Sequence, residues 1–358
     1  MLEPRDPFPA RKAPLSVVTG GSGFIGRHLV RLLAEKGHAL RVLDLVASPG
    51  LDPRAEFFQG SILDAALVRR VLTDADYVFH LAANPDLWAP DKRTFHETNY
   101  VGTCVVLEEA ERAHLRRFVH CSTESILKGV RNGGRALANE SVSRTVADMP
   151  GPYCRSKFLA ERAALAAAGR GLPVVIVNPT LPIGPGDLRL TPPTRMLLDF
   201  VNGENPAYLD FATNMIDVRD AALGHWLAAE RGRVSERYIL GGENVRLSQV
   251  LAMLSDLTGL RMPRLRVPYA LALAAAAISE LMADFVTRRP PKAPLTGVRL
   301  AGTSMTFDCA RAEQELGLQP RPIRRALADA VVWLRSEGRI QRSLSLAPMA
   351  GLNALPAT

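Results

Sequence analysis

The chain has 358 residues, 47% of them apolar and 22% charged, and 44 Lys and Arg against 36 Asp and Glu leave a net charge of +8. That length can bury a sizeable core in about two domains, and the composition excludes a short disulfide scaffold or a disordered chain. The basic surplus is nearly all arginine, with Lys at only six positions, and no basic run alternates with aromatic residues, so it reads as solvated surface with no nucleic-acid partner.

Residues 1–13 are rich in Pro and charge where a signal peptide needs an apolar core, and they read as a loose arm. Leu15–Thr19 is the first strand. Residues 24–36 carry Phe24, Ile25, Leu29, Leu32 and Leu33 at helical spacing until Gly37 ends the run. Between strand and helix stand Gly20, Gly23 and Gly26: the first allows a tight turn, the second lets backbone approach a pyrophosphate, and the third lets the helix pack on the sheet. The helix start adds free N–H groups and the positive end of its dipole.

The second strand, 40–43, runs into Asp44, 18 residues after Gly26, where a carboxylate can bond both ribose hydroxyls and repel a 2′-phosphate; this favours NAD over NADP. Arg41 falls on the opposite face. Further strands are expected over 56–59, 77–81, 118–122 and 174–177, and helices over 65–72, 95–113 and 153–168. This alternation predicts an α/β fold with a doubly wound parallel sheet.

Ser122 and Thr123 close the fifth strand, at the edge where such sheets face their ligands, and either hydroxyl could orient a reacting oxygen. Tyr153 and Lys157 sit four apart at a helix start and share one face. An ammonium near the phenol would pull its pKa toward neutrality and make Tyr153 a general acid/base.

After Pro179 the pattern turns to Pro- and Gly-rich connections and helices. A second, smaller, mostly helical domain is expected over 180–213 and 243–340, with the first domain covering 14–179 and rejoined by 214–242 through a helix over 220–230 and a strand over 238–240. The apolar stretch 267–285 is broken by Glu280 and Asp284 short of a membrane span, but its arginine flanks suit a peripheral contact with an anionic membrane. The tail 343–358 reads as loose. Four scattered cysteines without a CxxC pair fit a reducing cytoplasm, and seven histidines without metal spacing point to no metal site.

Together these motifs resemble the extended short-chain dehydrogenases/reductases, the NAD-dependent epimerase/dehydratase family that includes nucleotide-sugar epimerases, 3β-hydroxysteroid dehydrogenases and dihydroflavonol reductases. The resemblance covers nearly all of 14–340. Thr19 to Gly26 matches TGxxGxxG, which brings Phe24 and Ile25 beside the cofactor; Tyr153 and Lys157 match YxxxK; and Thr123 matches the third member of the catalytic triad. His80 to Ala83 is similar to the HxAA segment, implying cofactor contacts at Leu81, Ala82 and Ala83. Asn99 matches an Asn that orders the site and is implied to contact the cofactor, and Asn178-Pro179 with 183–187 is similar to the segment lining the nicotinamide.

Ser61 stands where the family often has an adenine-binding Asp, with Ile62 the next candidate, and Asp217 stands where His is common. Segments 87–90, 147–153, 174–179, 205–209 and 237–244 resemble the hopanoid-associated sugar epimerases. The resemblance implies a Rossmann sheet, NAD, a homodimer, and substrate contacts near Arg195, Asn202 and Tyr208. It implies hydride transfer at a secondary alcohol or ketone of a small molecule in a sugar-epimerase-like reaction, the alternative being a 3β-hydroxysteroid dehydrogenase- or dihydroflavonol-reductase-like oxidoreduction of a lipophilic polycyclic substrate. A non-catalytic dinucleotide sensor would lack the Tyr–Lys pair.

Overall fold

The structure, a computed structural model, describes residues 13–128, 137–303 and 305–344. Both expected loose termini, apart from residues 13, 343 and 344, lie outside the described residues.

The first half alternates β1 (Leu15–Thr19), α1 (Phe24–Glu35), β2 (Ala39–Asp44), β3 (Ala55–Gln59), α2 (Ala65–Leu72), β4 (Tyr77–His80), α3 (93–112), β5 (Arg117–Cys121), α4 (Pro152–Gly169) and β6 (Val174–Pro179). It continues through β7 (Leu181–Ile183), α5 (Pro192–Asn202), β8 (Ala207–Tyr208), β9 (Ala212–Asp217), α6 (Val218–Arg231) and β10 (Arg237–Leu240). The chain then forms β11 (Glu243–Arg246), α7 (Leu247–Thr258), β12 (Leu265–Arg266), α8 (269–287), α9 (Leu295–Ala301) and α10 (Ile323–Ser336). Seven strands make one sheet in the order β10–β6–β5–β4–β1–β2–β3, and every pairing in it is parallel.

Helices cover both faces, which is why β1 and β6 are buried along their whole length and are mostly apolar without an alternating pattern. On one face α1 and α6 bury Leu29, Val30, Leu33, Ala221 and Leu227; on the other α2, α3 and α4 bury Val68, Val71, Val106, Leu107 and Ala164. Strand order reverses between β1 and β4, and the carboxyl ends there open a crevice suited to a ligand.

A third core gathers around the small sheet β11–β9–β7, where Ile183, Phe200, Val250, Leu254, Leu327 and Val331 join it to α5, α7 and α10. The segment 267–285 departs from expectation. From residue 269 it is part of a continuous 19-residue helix, Tyr269–Thr287, long and apolar enough by length and composition alone to cross a membrane. Glu280 and Asp284 do not interrupt its outer face because both point inward: Glu280 accepts from the Leu295 N–H, while Asp284 accepts from the Trp88 indole and pairs with Lys92 at 3.1 Å.

Candidate active site

A cavity of about 610 Å³ runs along the carboxyl ends of β1, β2, β4, β5 and β6 and on toward α5, α9 and β8. At its inner end Gly20 has φ +72°, a left-handed conformation, and a Cβ there would lie 2.6 Å from the Ala82 nitrogen. A Cβ on Gly26 would meet the Gly20 carbonyl at 2.2 Å. The loop is thus pressed between α1 and the end of β4, leaving a wall of bare backbone at the uncapped start of α1.

His80 fixes that closeness, since one ring nitrogen bonds the Thr19 hydroxyl (2.7 Å) and the other the Thr103 hydroxyl (2.9 Å), while Thr19 also accepts from the Ala82 N–H. Burial holds His80 down to about 3, so the ring is neutral.

Asp44 reaches the wall with its carboxylate already oriented by the Ser22 N–H (3.0 Å) and Leu45 N–H (2.8 Å). Arg41 is directed away, to the Val71 and Thr73 carbonyls. Ser61 lines the cavity while its hydroxyl accepts from the Leu63 N–H, and Ile62 packs where Gly102 leaves room. Phe24, Ile25, Gly23, Leu81, Ala82, Ala83 and Pro179 are on the wall as well. Glycine cradle, helix start and oriented carboxylate fit a dinucleotide.

Asn99 is a correction. It is buried one layer behind the wall, where its amide accepts from the Asn84 N–H and donates to the Asn84 carbonyl and the Ser156 hydroxyl, so it ties the loop after β4 to α4 instead of touching a ligand.

Where β5 ends, Thr123, Tyr153 and Lys157 come together on the cavity wall. Asn178, from the end of β6, holds the Thr123 carbonyl at 3.1 Å and the Glu161 carboxylate at 2.9 Å. Glu161 in turn pairs with Arg237 of β10 at 2.6 Å. The Ser122 hydroxyl is buried on the wall with no partner.

The expected lowering of the Tyr153 phenol is not found. Burial pushes it above its ordinary value of 10 and a hydrogen bond with Thr123 opposes this, while the Lys157 ammonium donates to the Cys121 carbonyl at 2.6 Å. Burial also lowers Lys157. Sequence reasoning missed Glu124. This carboxyl lines the cavity, accepts from the Thr123 hydroxyl at 3.0 Å, and is pushed up by burial to about 7. A Glu directly after the strand-end Thr was the available signal.

The outer half of the cavity is lined by Leu181, Met196, Phe200, Tyr208, Phe211 and Val298, with Asp187, Arg189 and Lys292 the charged side chains among its neighbours. Asp187 is engaged at the start of α5, accepting from Thr191. Of the expected substrate contacts only Tyr208 lines the cavity; Arg195 does not, and Asn202 bridges to the backbone of Arg339 and Gln341. Asp217 lies elsewhere, capping α6 through the Arg219 N–H and pairing with the Arg219 guanidinium, which also pairs with Asp329 of α10.

Residues 16–241 match the model of the NAD dependent epimerase/dehydratase family. The chain is 38% identical over 331 residues to the putative dihydroflavonol 4-reductase of Synechocystis sp., covering 90% of this chain and 95% of that protein. It is 34% identical over 332 residues to sterol demethylase protein B of Methylococcus capsulatus, covering 91% and 99%. The crystal structure of gox2253 superposes with a TM-score of 0.79 at 34% identity, over 91% of this chain and 99% of that one.

Proposed function

Because the chain belongs to the NAD-dependent epimerase/dehydratase family and is an extended short-chain dehydrogenase/reductase, we propose that it interconverts a secondary alcohol and a ketone on a lipophilic, fused-ring substrate. The supporting observation is the outer half of the cavity, where apolar side chains dominate and would bury a hydrocarbon skeleton favourably. The names of two relatives, a sterol demethylase protein and a putative dihydroflavonol reductase, both point to polycyclic hydroxylated compounds. A sugar nucleotide would need cations for its pyrophosphate, and the outer half offers two, Arg189 and Lys292, in an otherwise largely apolar lining.

NAD supplies the hydride acceptor. Cofactor binding is assigned to 14–179 with 214–242, and substrate binding to 180–213 with 243–340. Gly20, Gly23 and Gly26 with the start of α1 would hold the pyrophosphate, and Asp44 the adenosine ribose. Phe24, Ile25, Ser61, Ile62, Leu81, Ala82, Ala83 and Pro179 would line the remaining length, and Lys157 would hold the nicotinamide ribose. Tyr153 exchanges the hydroxyl proton and Thr123 orients the oxygen; Asn99 supports them from behind.

In the assay, purified protein with NAD and a 4α-carboxy-3β-hydroxysterol should accumulate NADH, while UDP-glucose should give neither NADH nor UDP-galactose. Epimerisation of the sugar nucleotide without net NADH would defeat the reading and establish the sugar-epimerase alternative.

The enzyme is further assigned to the cytoplasm as a homodimer lying on a membrane through α8. The support is the outward apolar face of that helix and the exposed arginines beside it.

A further inference from the structure

We propose that Asn178 is a positioning residue for the reaction: its side-chain amide holds the end of β5, and with it Thr123, at a fixed place against α4, which carries Tyr153 and Lys157. The parallel ladder between β5 and β6 runs out here. Its N–H groups go from Phe118 to the Pro173 carbonyl and, four residues on, from Ser122 to the Val177 carbonyl at 2.8 Å. The next bond in that pattern would come from residue 179, which is proline and has no N–H. Where the backbone stops, the amide of Asn178 takes over, donating to the Thr123 carbonyl at 3.1 Å and to the Glu161 carboxylate of α4 at 2.9 Å. The Thr123 hydroxyl accepts the Ser125 N–H at 3.2 Å, so both polar ends of Thr123 are held and it cannot turn without breaking a bond.

The chemistry of the neighbours fixes which way the amide faces. Arg237 of β10, a donor only, pairs with Glu161 at 2.6 Å. An ionised carboxylate only accepts, as does a backbone carbonyl, so both neighbours of Asn178 need its NH2 end. A side chain of equal size without that end would supply neither bond. The amide oxygen has no protein partner. An amide buried with its oxygen unpaired is a poor way to stabilise a core, so stability alone is not what this side chain serves.

Helix α4 thus grips the end of β5 at two points. Lys157 donates to the Cys121 carbonyl at 2.6 Å, and Glu161, four residues further along, reaches the Thr123 carbonyl through Asn178. Four residues of helix rise about 6 Å and two residues of strand about 6.6 Å, so the two grips match in spacing. Neither Asn178 nor Glu161 lines the cavity, and neither touches a reacting atom. They act through Thr123 and Lys157. The role rests on the proposed alcohol–ketone reaction, in which Thr123 and Tyr153, from different elements, must meet the same oxygen. A misplacement of about 1 Å in such a site costs about 100-fold in rate.

The test compares wild type, Asn178→Leu and Arg219→Met. Asn178→Leu removes both amide bonds, whereas Arg219→Met breaks a buried ion cluster outside the site and controls for lost stability. With NAD and the 4α-carboxy-3β-hydroxysterol, kcat should fall at least about tenfold in Asn178→Leu and less than about threefold in Arg219→Met. KM and NAD affinity should stay within about threefold of wild type in both. An unchanged kcat in Asn178→Leu, or equal losses in the two variants, overturns the proposal. Asn178→Ala removes the same two donors and gives the same comparison if Asn178→Leu does not fold.

A second readout needs no substrate. In the cofactor-free protein, amide hydrogen exchange over residues 122–126, followed by mass spectrometry, should quicken at least about tenfold relative to β1 in Asn178→Leu and keep the wild-type ratio in Arg219→Met. If the ratio in Asn178→Leu is that of wild type, Asn178 does not hold the end of β5, whatever the substrate proves to be. A wild type that leaves the sterol untouched counts against the proposed reaction alone, and the exchange comparison still decides the role of Asn178.

Discussion

At the scale of single residues, we propose that discrimination between the two nicotinamide dinucleotides falls to Asp44. Two backbone N–H groups, of Ser22 and Leu45, hold its carboxylate on the cavity wall before any ligand arrives, and the nearby cation that could favour a 2′-phosphate, Arg41, is spent on two carbonyls of another loop. Charge-assisted hydrogen bonds contribute about 1.5–3 kcal/mol each, so Asp44→Asn should weaken NAD binding about 10- to 100-fold and narrow the preference over NADP, as read by fluorescence titration of both cofactors. An unchanged NAD affinity would remove Asp44 from the ribose site. Asp44, the glycine triplet and the Tyr153–Lys157 spacing were legible because each follows from local geometry: a turn, a strand end, one helical face. The proton chemistry was not. Whether Lys157 meets the phenol or the Cys121 carbonyl depends on how β5 and α4 pack, and i to i+4 spacing says only that the two side chains share a face. The same limit applies to Asn99, whose amide is used up by Asn84 and Ser156, residues 15 and 57 positions away.

At the scale of elements, α6 is clamped to α10 by a single guanidinium. Arg219 reaches the Asp217 carboxylate that caps its own helix and, at 2.6 Å, Asp329 on α10; the two carboxylates raise it above its ordinary value, and both are nearly enclosed. Replacing Arg219 by Met would leave two buried carboxylates facing each other. Breaking such a set costs about 3–5 kcal/mol, with the lower end expected because Arg219 keeps 22% of its side chain in solvent. Urea unfolding would measure it, and a loss below about 1 kcal/mol would mean that water already screens the cluster. This clamp gives Asp217 a place that the family comparison by sequence could not assign. Strands of the large sheet were readable to within one or two residues, since continuous apolar runs bounded by turns have few alternatives. α8 was misjudged because its two carboxylates were counted along the chain and not around the helix.

At the scale of the whole molecule, α8 turns the ordinary rule inside out. Its acids face the protein, held by Trp88, Lys92 and the Leu295 N–H, while Leu271, Ile278, Leu281, Met282, Phe285 and Val286 face solvent, with Phe285 77% exposed. Leu271 and Ile278 are two turns apart and the other four follow Ile278 at three- and four-residue spacings, so all six form one stripe on a helix about 28 Å long. Exposed Arg288 and Arg289 follow it, and Arg261 and Arg264 precede it. Fixed to the body along its inner side, α8 is suited to lie in an interface, and the cavity wall at Lys292, Ala293 and Pro294 begins five residues after its end. A substrate dissolved in the bilayer could pass from beside this stripe into the apolar half of the cavity. The protein should therefore float with vesicles containing phosphatidylglycerol at low salt, and less with phosphatidylcholine alone, each arginine near the anionic surface contributing about 1 kcal/mol. Leu271→Ser, Ile278→Ser and Phe285→Ser combined should abolish flotation while leaving NAD binding intact, since large apolar side chains are worth about 1.5–3 kcal/mol apiece when buried. If wild type stays with the protein-only fraction and the triple variant instead sediments as a monomer where wild type is a dimer, the stripe is a contact between two copies of the chain and the membrane assignment falls.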